Sequence, residues 1–410
     1  MVEQLRPSSL PRGAARRLTA LRALLGTART PLEFQILGRT LLRAALVGAA
    51  AGLMGSLFFA GVEAVQRFTL EIWAGYQPLR AGGEQILGEV TGATRFRPWV
   101  LLVMPGAGAL IGGALSTWLA PETRGGGSDA IIEAFHQHDG VVRKRVAFVK
   151  GIVSALTLGS GGSGGREGPT MQMGGSIGSL VGQLLKVTAR ERRILLVAGT
   201  AAGMAAVFRT PLGAALLAVE VLHRDDFEAD ALVPSVLASV VSYSVFIAIF
   251  GERTLFAHAP SYPFVPQHLP LYALLAVVVS LVGSTFLSLL RWVQKTTAAA
   301  RFPAWCKPGL GGLLLGVLAT PLIVEFGPRF GQPGEGLGLL GGGYGAAQLA
   351  ISGADFFPLG WRGVEILAVL GVLKIGATCL TVGTGGSAGD FGPSLVIGGI
   401  FGGAFGRAAA

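Results

Sequence analysis

Apolar residues along this chain run in long blocks, and short polar or glycine-rich breaks separate them. Leu41 to Phe68 is one block, with Glu63 as a late interruption, and Trp99 to Ala120 is another, containing Pro105. Val146 to Leu158 and Thr170 to Leu185 flank a glycine-rich break, and Ile194 to Val221 is broken at Arg209-Thr210-Pro211. Ala231 to Phe250, Leu269 to Val293, Gly309 to Val324, Val364 to Val382 and Gly392 to Phe405 complete the series. A helix needs about 20 apolar residues to cross a hydrocarbon core, so several of these blocks are too short to cross straight. The pattern predicts an all-α membrane bundle of spanning and broken helices. Broken backbone inside a bilayer is tolerated only where protein or a water-filled cavity satisfies its polar groups.

The pattern also repeats. Gly159-Ser-Gly-Gly-Ser-Gly-Gly-Arg-Glu-Gly-Pro169 aligns with Gly383-Thr-Gly-Gly-Ser-Ala-Gly-Asp-Phe-Gly-Pro393, and Lys150, Leu156 and Thr157 fall on Lys374, Leu380 and Thr381. In the same order, Leu53 to Phe58 resembles Leu281 to Phe286, and Pro105-Gly-Ala-Gly108 resembles Pro308-Gly-Leu-Gly311. Matches in one order that include residues other than glycine predict a duplicated membrane unit. The expected organisation is a basic N-terminal segment over 1–38, a first repeat over 39–251 and a second over 268–410. Duplicated halves with helices interrupted at matching positions place a transport site at their interface.

Composition supports the bilayer and narrows the function. The chain of 410 residues is 51% hydrophobic and only 14% charged, well below the usual charge of a soluble domain. Its 64 glycines lack the three-residue period of collagen, and among apolar residues they suit close helix packing. Net charge is +10, with Arg6, Arg12, Arg16, Arg17, Arg22, Arg29, Arg39 and Arg43 crowded at the start. That crowding predicts a cytoplasmic N-terminus in preference to a nucleic-acid-binding arm. No apolar core with a cleavage site follows Met1, so the start does not read as a signal peptide. Cys306 and Cys379 lack metal-ligand spacing and read as packing residues. His136 and His138 flank Gln137 in a polar stretch and read as solvated loop residues, with no metal expected.

Each glycine-rich segment ends in Gly-Pro and runs into an apolar stretch. A proline suits the first turn of a helix, where its missing N–H costs nothing. Each segment therefore reads as a loop that delivers a helix N-terminus into the membrane. Free N–H groups and the positive end of the helix dipole make that an anion site. Many weak donors suit an ion that must also leave. A phosphate-cradling nucleotide loop is the enzymatic alternative, but Gly159 to Gly168 lacks the Gly-Lys-Ser/Thr ending, and no nucleophile or metal cluster supports an enzyme. Glu167, just before Pro169, is the sharpest residue. It reads either as a carboxylate satisfying a helix start or as a group that takes the anion's own place and leaves on protonation.

Gly165-Arg-Glu-Gly-Pro169 matches the Gly-Lys/Arg-Glu-Gly-Pro signature of the CLC chloride channel and transporter family, and Gly389-Asp-Phe-Gly-Pro393 matches its Gly-x-Phe-x-Pro signature. Gly127-Ser-Asp-Ala-Ile131 keeps only the Gly-Ser of a third signature, and Phe208-Arg-Thr-Pro211 leading into Val219-Glu220 is also family-like. The chain thus resembles a bacterial CLC protein from about Leu41 to Arg407. The resemblance implies an inverted-repeat bundle, dimerised, with a pore in each subunit. It implies that Ser128 offers its hydroxyl to a central chloride, with backbone N–H groups around Asp390, Phe391 and Gly392 completing the site. It implies an external site at Arg166, Glu167 and Gly168, gated by Glu167. No cofactor is implied; the partners are a small anion and the lipid of a bacterial inner membrane.

Three departures from the family pattern matter. Val221 follows Glu220 where antiporters commonly carry an inner Glu, which favours passive, voltage-dependent chloride conduction over proton-coupled exchange of chloride or fluoride. Asp390 puts a carboxylate beside an anion site, so its side chain must point elsewhere or be compensated. No second-half counterpart of Thr200 to Val221, nor the family's pore-facing Tyr of the last helix, precedes Ala410, so the second half is expected to be incomplete. Lys150 and Lys374, at matching positions within apolar stretches, either raise the potential near the pore or snorkel to an interface.

Overall fold

A bilayer offers a backbone no hydrogen-bond partners, so apolar blocks of this length resolve into helices. The computed structural model describes residues 32–84, 86, 95–223, 228–252, 254–256, 264–330, 333–352, 358 and 360–409. The basic stretch from Arg6 to Arg29 lies outside the described residues.

Among the described residues thirteen α-helices follow one another: α1 Leu32–Gln66, α2 Pro98–Leu119, α3 Ser128–Gln137, α4 Val146–Gly159, α5 Glu167–Leu184, α6 Ala189–Phe208, α7 Pro211–Glu220, α8 Ala229–Phe250, α9 Leu269–Ala299, α10 Lys307–Phe330, α11 Tyr344–Ser352, α12 Trp361–Val382 and α13 Phe391–Ala409. Among the described residues there are no strands beyond two isolated bridges, Gln77 with Glu335 and Gly165 with Gly389. Among the described residues six helical stretches are long and apolar enough to cross a membrane: Gly38–Trp73, Pro98–Leu119, Ala229–Phe250, Pro266–Ala299, Lys307–Arg329 and Trp361–Val382. The protein is a multi-pass integral membrane bundle.

Local chemistry explains where these helices begin and end. Thr188 caps α6, its hydroxyl accepting from the Glu191 amide at 3.3 Å, with Glu191 in the capping-box position three residues on. Arg209 ends α6 in the left-handed conformation (φ 58°), and Pro211 starts α7 at once, which is the break the sequence predicts. The 10 residues of α7 rise only about 15 Å, half the hydrocarbon thickness. Helices α5 and α13 begin earlier than their apolar blocks, at Glu167 and Phe391, because Gly-Pro sits inside their first turns. His136 departs from the loop reading, whereas His138 stays exposed in the bend after α3. His136 lies in the last turn of α3, with a ring nitrogen 2.8 Å from the Leu222 carbonyl, and His138 follows directly and pairs with Glu133 at 3.5 Å. No metal-binding cluster occurs among the described residues.

Small residues set the packing. Helix α5 lies on α6 so closely that a β-carbon on Gly199 would stand 2.2 Å from the Gly174 carbonyl oxygen, and one on Gly174 would stand 2.1 Å from that of Gly199. Helices α2 and α10, which carry the matching blocks Pro105–Gly108 and Pro308–Gly311, cross each other in the same manner. A β-carbon on Gly312 would lie 2.3 Å from the Pro105 oxygen. Such contact replaces the hydrophobic effect, which draws no helices together within lipid. Helix α9 behaves differently: Phe286 and Leu290 are buried along it, while Leu274, Val277, Leu281 and Trp292 are exposed apolar side chains suited to lipid.

The Gly174–Gly199 contact is backbone on backbone, so no side-chain rotation relieves a substitution there. Gly199→Val should cost at least about 1–3 kcal/mol of stability, the usual toll of overpacking. It should lower the melting temperature in detergent. Gly398→Val, with open space around the glycine, serves as the control and should leave the melting temperature nearly unchanged.

Candidate functional site

Two glycine loops meet at the centre of the bundle. The Gly165 amide donates to the Gly389 carbonyl at 2.7 Å, and the Gly389 amide donates back to Gly165 at 2.9 Å. Helices α5 and α13 start immediately after this bridge, so their N-termini converge. A third loop packs on the pair: a β-carbon on Gly168 would stand 2.5 Å from the Gly126 oxygen. Ser128, half-buried, opens α3 at the end of that loop. A β-carbon on Gly126 would stand 3.9 Å from Ser128 Oγ and 3.8 Å from Asp390 Oδ1. The Asp390 carboxylate therefore lies on the Ser128 side of Gly126.

Glu167 is buried, and its carboxylate packs on its own loop, where a β-carbon on Gly165 would stand 2.0 Å from Oε2. It reaches across to the start of α13, where a β-carbon on Gly392 would fall 2.5 Å from Oε2 and 2.8 Å from Oε1. The Tyr344 hydroxyl donates to Oε1, and Oε2 has no partner of normal hydrogen-bond geometry among the described residues. Arg166 points elsewhere. Its guanidinium pairs with buried Glu84 at 3.1 Å and lies 4.4 Å from the centre of the Phe59 ring, so its side chain is committed to structure. Phe391 is 43% exposed and meets Phe208 edge to face at 5.5 Å. Both rings line a cavity of about 620 Å³ that Tyr344, Arg209 and Leu395 also border.

The matching lysines hold matching loops. Lys150 is fully buried and donates to the carbonyls of Thr123 (3.0 Å) and Gly125 (2.7 Å). Lys374, also fully buried, donates to those of Leu339 (3.3 Å) and Gly341 (2.9 Å) and to Ser163 Oγ (3.0 Å). Neither lysine snorkels. Hydroxyl pairs cross between the halves in the same paired way, Ser154 with Ser387 at 2.8 Å and Ser163 with Thr378 at 3.2 Å.

Facing helix N-termini, paired glycine loops and a buried carboxylate between them agree with sequence comparison. Residues 107–410 match the voltage gated chloride channel family. The chain belongs to the CLC family. It is 30% identical over 410 residues to the H(+)/Cl(-) exchange transporter ClcA of Yersinia pseudotuberculosis, covering all of this chain and 78% of that protein. It is 29% identical over 359 residues to a putative chloride channel protein, ClcB-like, of Ralstonia nicotianae, covering 86% of this chain and 77% of that one. Among solved structures, a slow cyanobacterial Cl-/H+ antiporter superposes with a TM-score of 0.69 at 25% identity, over 90% of this chain and 79% of that one.

Within this CLC chain, the structure brings Glu167, Gly168, Asp390, Phe391 and Gly392 together and sets Ser128 beside them. The sequence reading missed Glu84 and Tyr344. Glu84 carried no signal, because it lies in an irregular stretch with no repeat partner. Tyr344 had one: Gly125-Gly-Gly-Ser128 and Gly341-Gly-Gly-Tyr344 form a further matched block between those already paired.

Glu84→Gln leaves a buried guanidinium without its counter-charge. Breaking a buried pair from one side costs about 3–5 kcal/mol. Glu84→Gln should therefore lower thermal stability in detergent markedly. Adding Arg166→Met should cost less than the sum of the two single changes, and a double-mutant cycle of melting temperatures reads this directly.

Proposed function

We propose that this chain exchanges chloride or a similar small halide for protons across the membrane. The observation that carries the reading is the placement of Glu167. Its buried carboxylate lies against the N-terminus of α13, where positive dipole and free amides favour negative charge. A permeant anion would seek the same position, so carboxylate and anion compete for it. Protonation removes the carboxylate's claim, which ties anion passage to proton binding. The Ser128 hydroxyl and the amides around Asp390, Phe391 and Gly392 then offer neutral donors to a second anion further along.

Passive conduction was the leading expectation from the sequence, on the strength of Val221 beside Glu220. The relatives weigh against it. The relative matching the whole chain at 30% identity is named an exchange transporter, and the superposing structure at 25% identity is an antiporter. Conduction remains the second reading, favoured by Val221 and by the name of the Ralstonia relative. Chloride is the first choice of anion because those relatives carry it in their names, with fluoride the alternative. Arg39 and Arg43, in the N-terminal third of α1, support a cytoplasmic N-terminus.

Flux from proteoliposomes containing the protein, with proton movement recorded beside halide efflux, tests the reading. The wild type should move protons against a halide gradient, and its halide flux should depend on pH. Glu167→Gln mimics the protonated carboxyl and should abolish both proton movement and pH dependence while halide flux persists. A variant with an unchanged pH profile would remove Glu167 from the mechanism. Proton-free halide flux in the wild type would favour conduction.

A further inference from the structure

The matched blocks around the two lysines extend to the residues that follow them. Lys150 holds the carbonyls of Thr123 and Gly125, and Lys374 holds those of Leu339 and Gly341. Each loop then runs Gly-Gly-Gly into the first residue of a short helix, Ser128 of α3 or Tyr344 of α11. The backbone agrees residue by residue: Gly125 and Gly127 have φ of 64° and 101°, and Gly341 and Gly343 have 67° and 83°. Side chains rarely adopt such angles, which explains glycine at those positions. Ser128 and Tyr344 are thus equivalent, and each presents a hydroxyl from the first residue of its helix. The Ser128 hydroxyl lies on the side of Gly126 that faces Asp390. The Tyr344 hydroxyl bonds the Glu167 carboxylate against Gly392. Tyr344 is 2% exposed and Glu167 1%, so the bond is shielded from water.

We propose that Tyr344 is the second repeat's hydroxyl donor to the transport pathway, serving whichever negative group occupies the start of α13. It holds the Glu167 carboxylate while the site is closed and donates to the permeant halide once the carboxylate has left. The proposal rests on the reading of Glu167 given above. The aromatic ring gives the hydroxyl the reach that a serine on α11 would lack. Tyr344 also borders the cavity that Phe208 and Phe391 line.

Charged groups surround this bond on several elements. Arg166 precedes Glu167 and is paired with Glu84, which precedes α2. Lys374 of α12 has its Nζ 2.9 Å from where a β-carbon on Gly343 would stand. Asp390 precedes α13, and Arg209 and Glu252 border the cavity. A pH effect at Tyr344 is therefore assigned to Glu167 only if it vanishes when Glu167 is neutral.

Tyr344→Phe removes one oxygen and is the variant of choice. Losing a hydrogen bond to a carboxylate makes protonation easier, so the midpoint of the pH-dependent halide flux should move to higher pH by about one unit. The shift should be absent in Glu167→Gln/Tyr344→Phe. In that neutral background the half-saturating bromide concentration should instead rise about tenfold against Glu167→Gln alone, because the anion has lost a donor. Bromide-soaked crystals of Glu167→Gln, with Tyr344 intact, should show anomalous density within hydrogen-bonding reach of the Tyr344 hydroxyl; this arm does not depend on the tyrosine variant folding. If Glu167→Gln loses its pH dependence but Tyr344→Phe leaves midpoint and half-saturation at their reference values, Tyr344 is a packing residue and the proposal fails. If Glu167→Gln keeps its pH profile, the gating reading fails and takes the closed-state role of Tyr344 with it. Bromide density away from the hydroxyl then rejects the anion-binding role as well.

Discussion

Two reciprocal hydrogen bonds between Gly165 and Gly389 join the halves where neither is helical. Inside a bilayer, unpaired amides and carbonyls cost several kcal/mol each, so irregular backbone survives there only when protein or a water-filled cavity satisfies it. Each loop supplies what the other needs. The bridge aims α5 and α13 at one another, and with them the amides and dipole ends that favour an anion.

The same constraint accounts for the buried lysines. Lys150 and Lys374 spend their donors on carbonyls of the loops before α3 and α11. An ammonium is costly to bury, and its several carbonyl partners offset part of that cost. It also satisfies carbonyls that have no helical partner. One residue in each half thus supports the loop that leads into its short helix. Arg166 is used similarly: its ion pair with Glu84 and its place over Phe59 anchor the residue immediately before Glu167. The side chain that moves in the proposed mechanism is flanked by one that is fixed.

Symmetry of backbone does not imply symmetry of chemistry. The two Gly-Gly-Gly loops share their positive φ angles, yet one ends in a small hydroxyl and the other in a phenol. Glu167 and Phe391 likewise occupy matching positions, a carboxylate in one half and an aromatic ring in the other. The duplicated scaffold thus supplies two pairs of equivalent positions, Ser128 with Tyr344 and Glu167 with Phe391. Divergence within each pair sets a carboxylate from one half against a phenol from the other.

The sequence alone determined the class of solvent, the helical architecture and the repeat. Those follow from block length, glycine placement and matched order, which are properties read along the chain. It also picked out Glu167, because an acidic residue beside a helix start in an apolar region has few structural uses. What it left open depended on distance through space. Nothing along the chain says that Arg166 would turn to Glu84, 82 residues away, or that Asp390 would sit on the Ser128 side of Gly126. The partner of the Glu167 carboxylate, Tyr344, lies 177 residues further on. Helix starts announce themselves locally through glycine and proline, whereas the partner of a buried charge is chosen by how helices from opposite halves pack, and only the tertiary structure decides that.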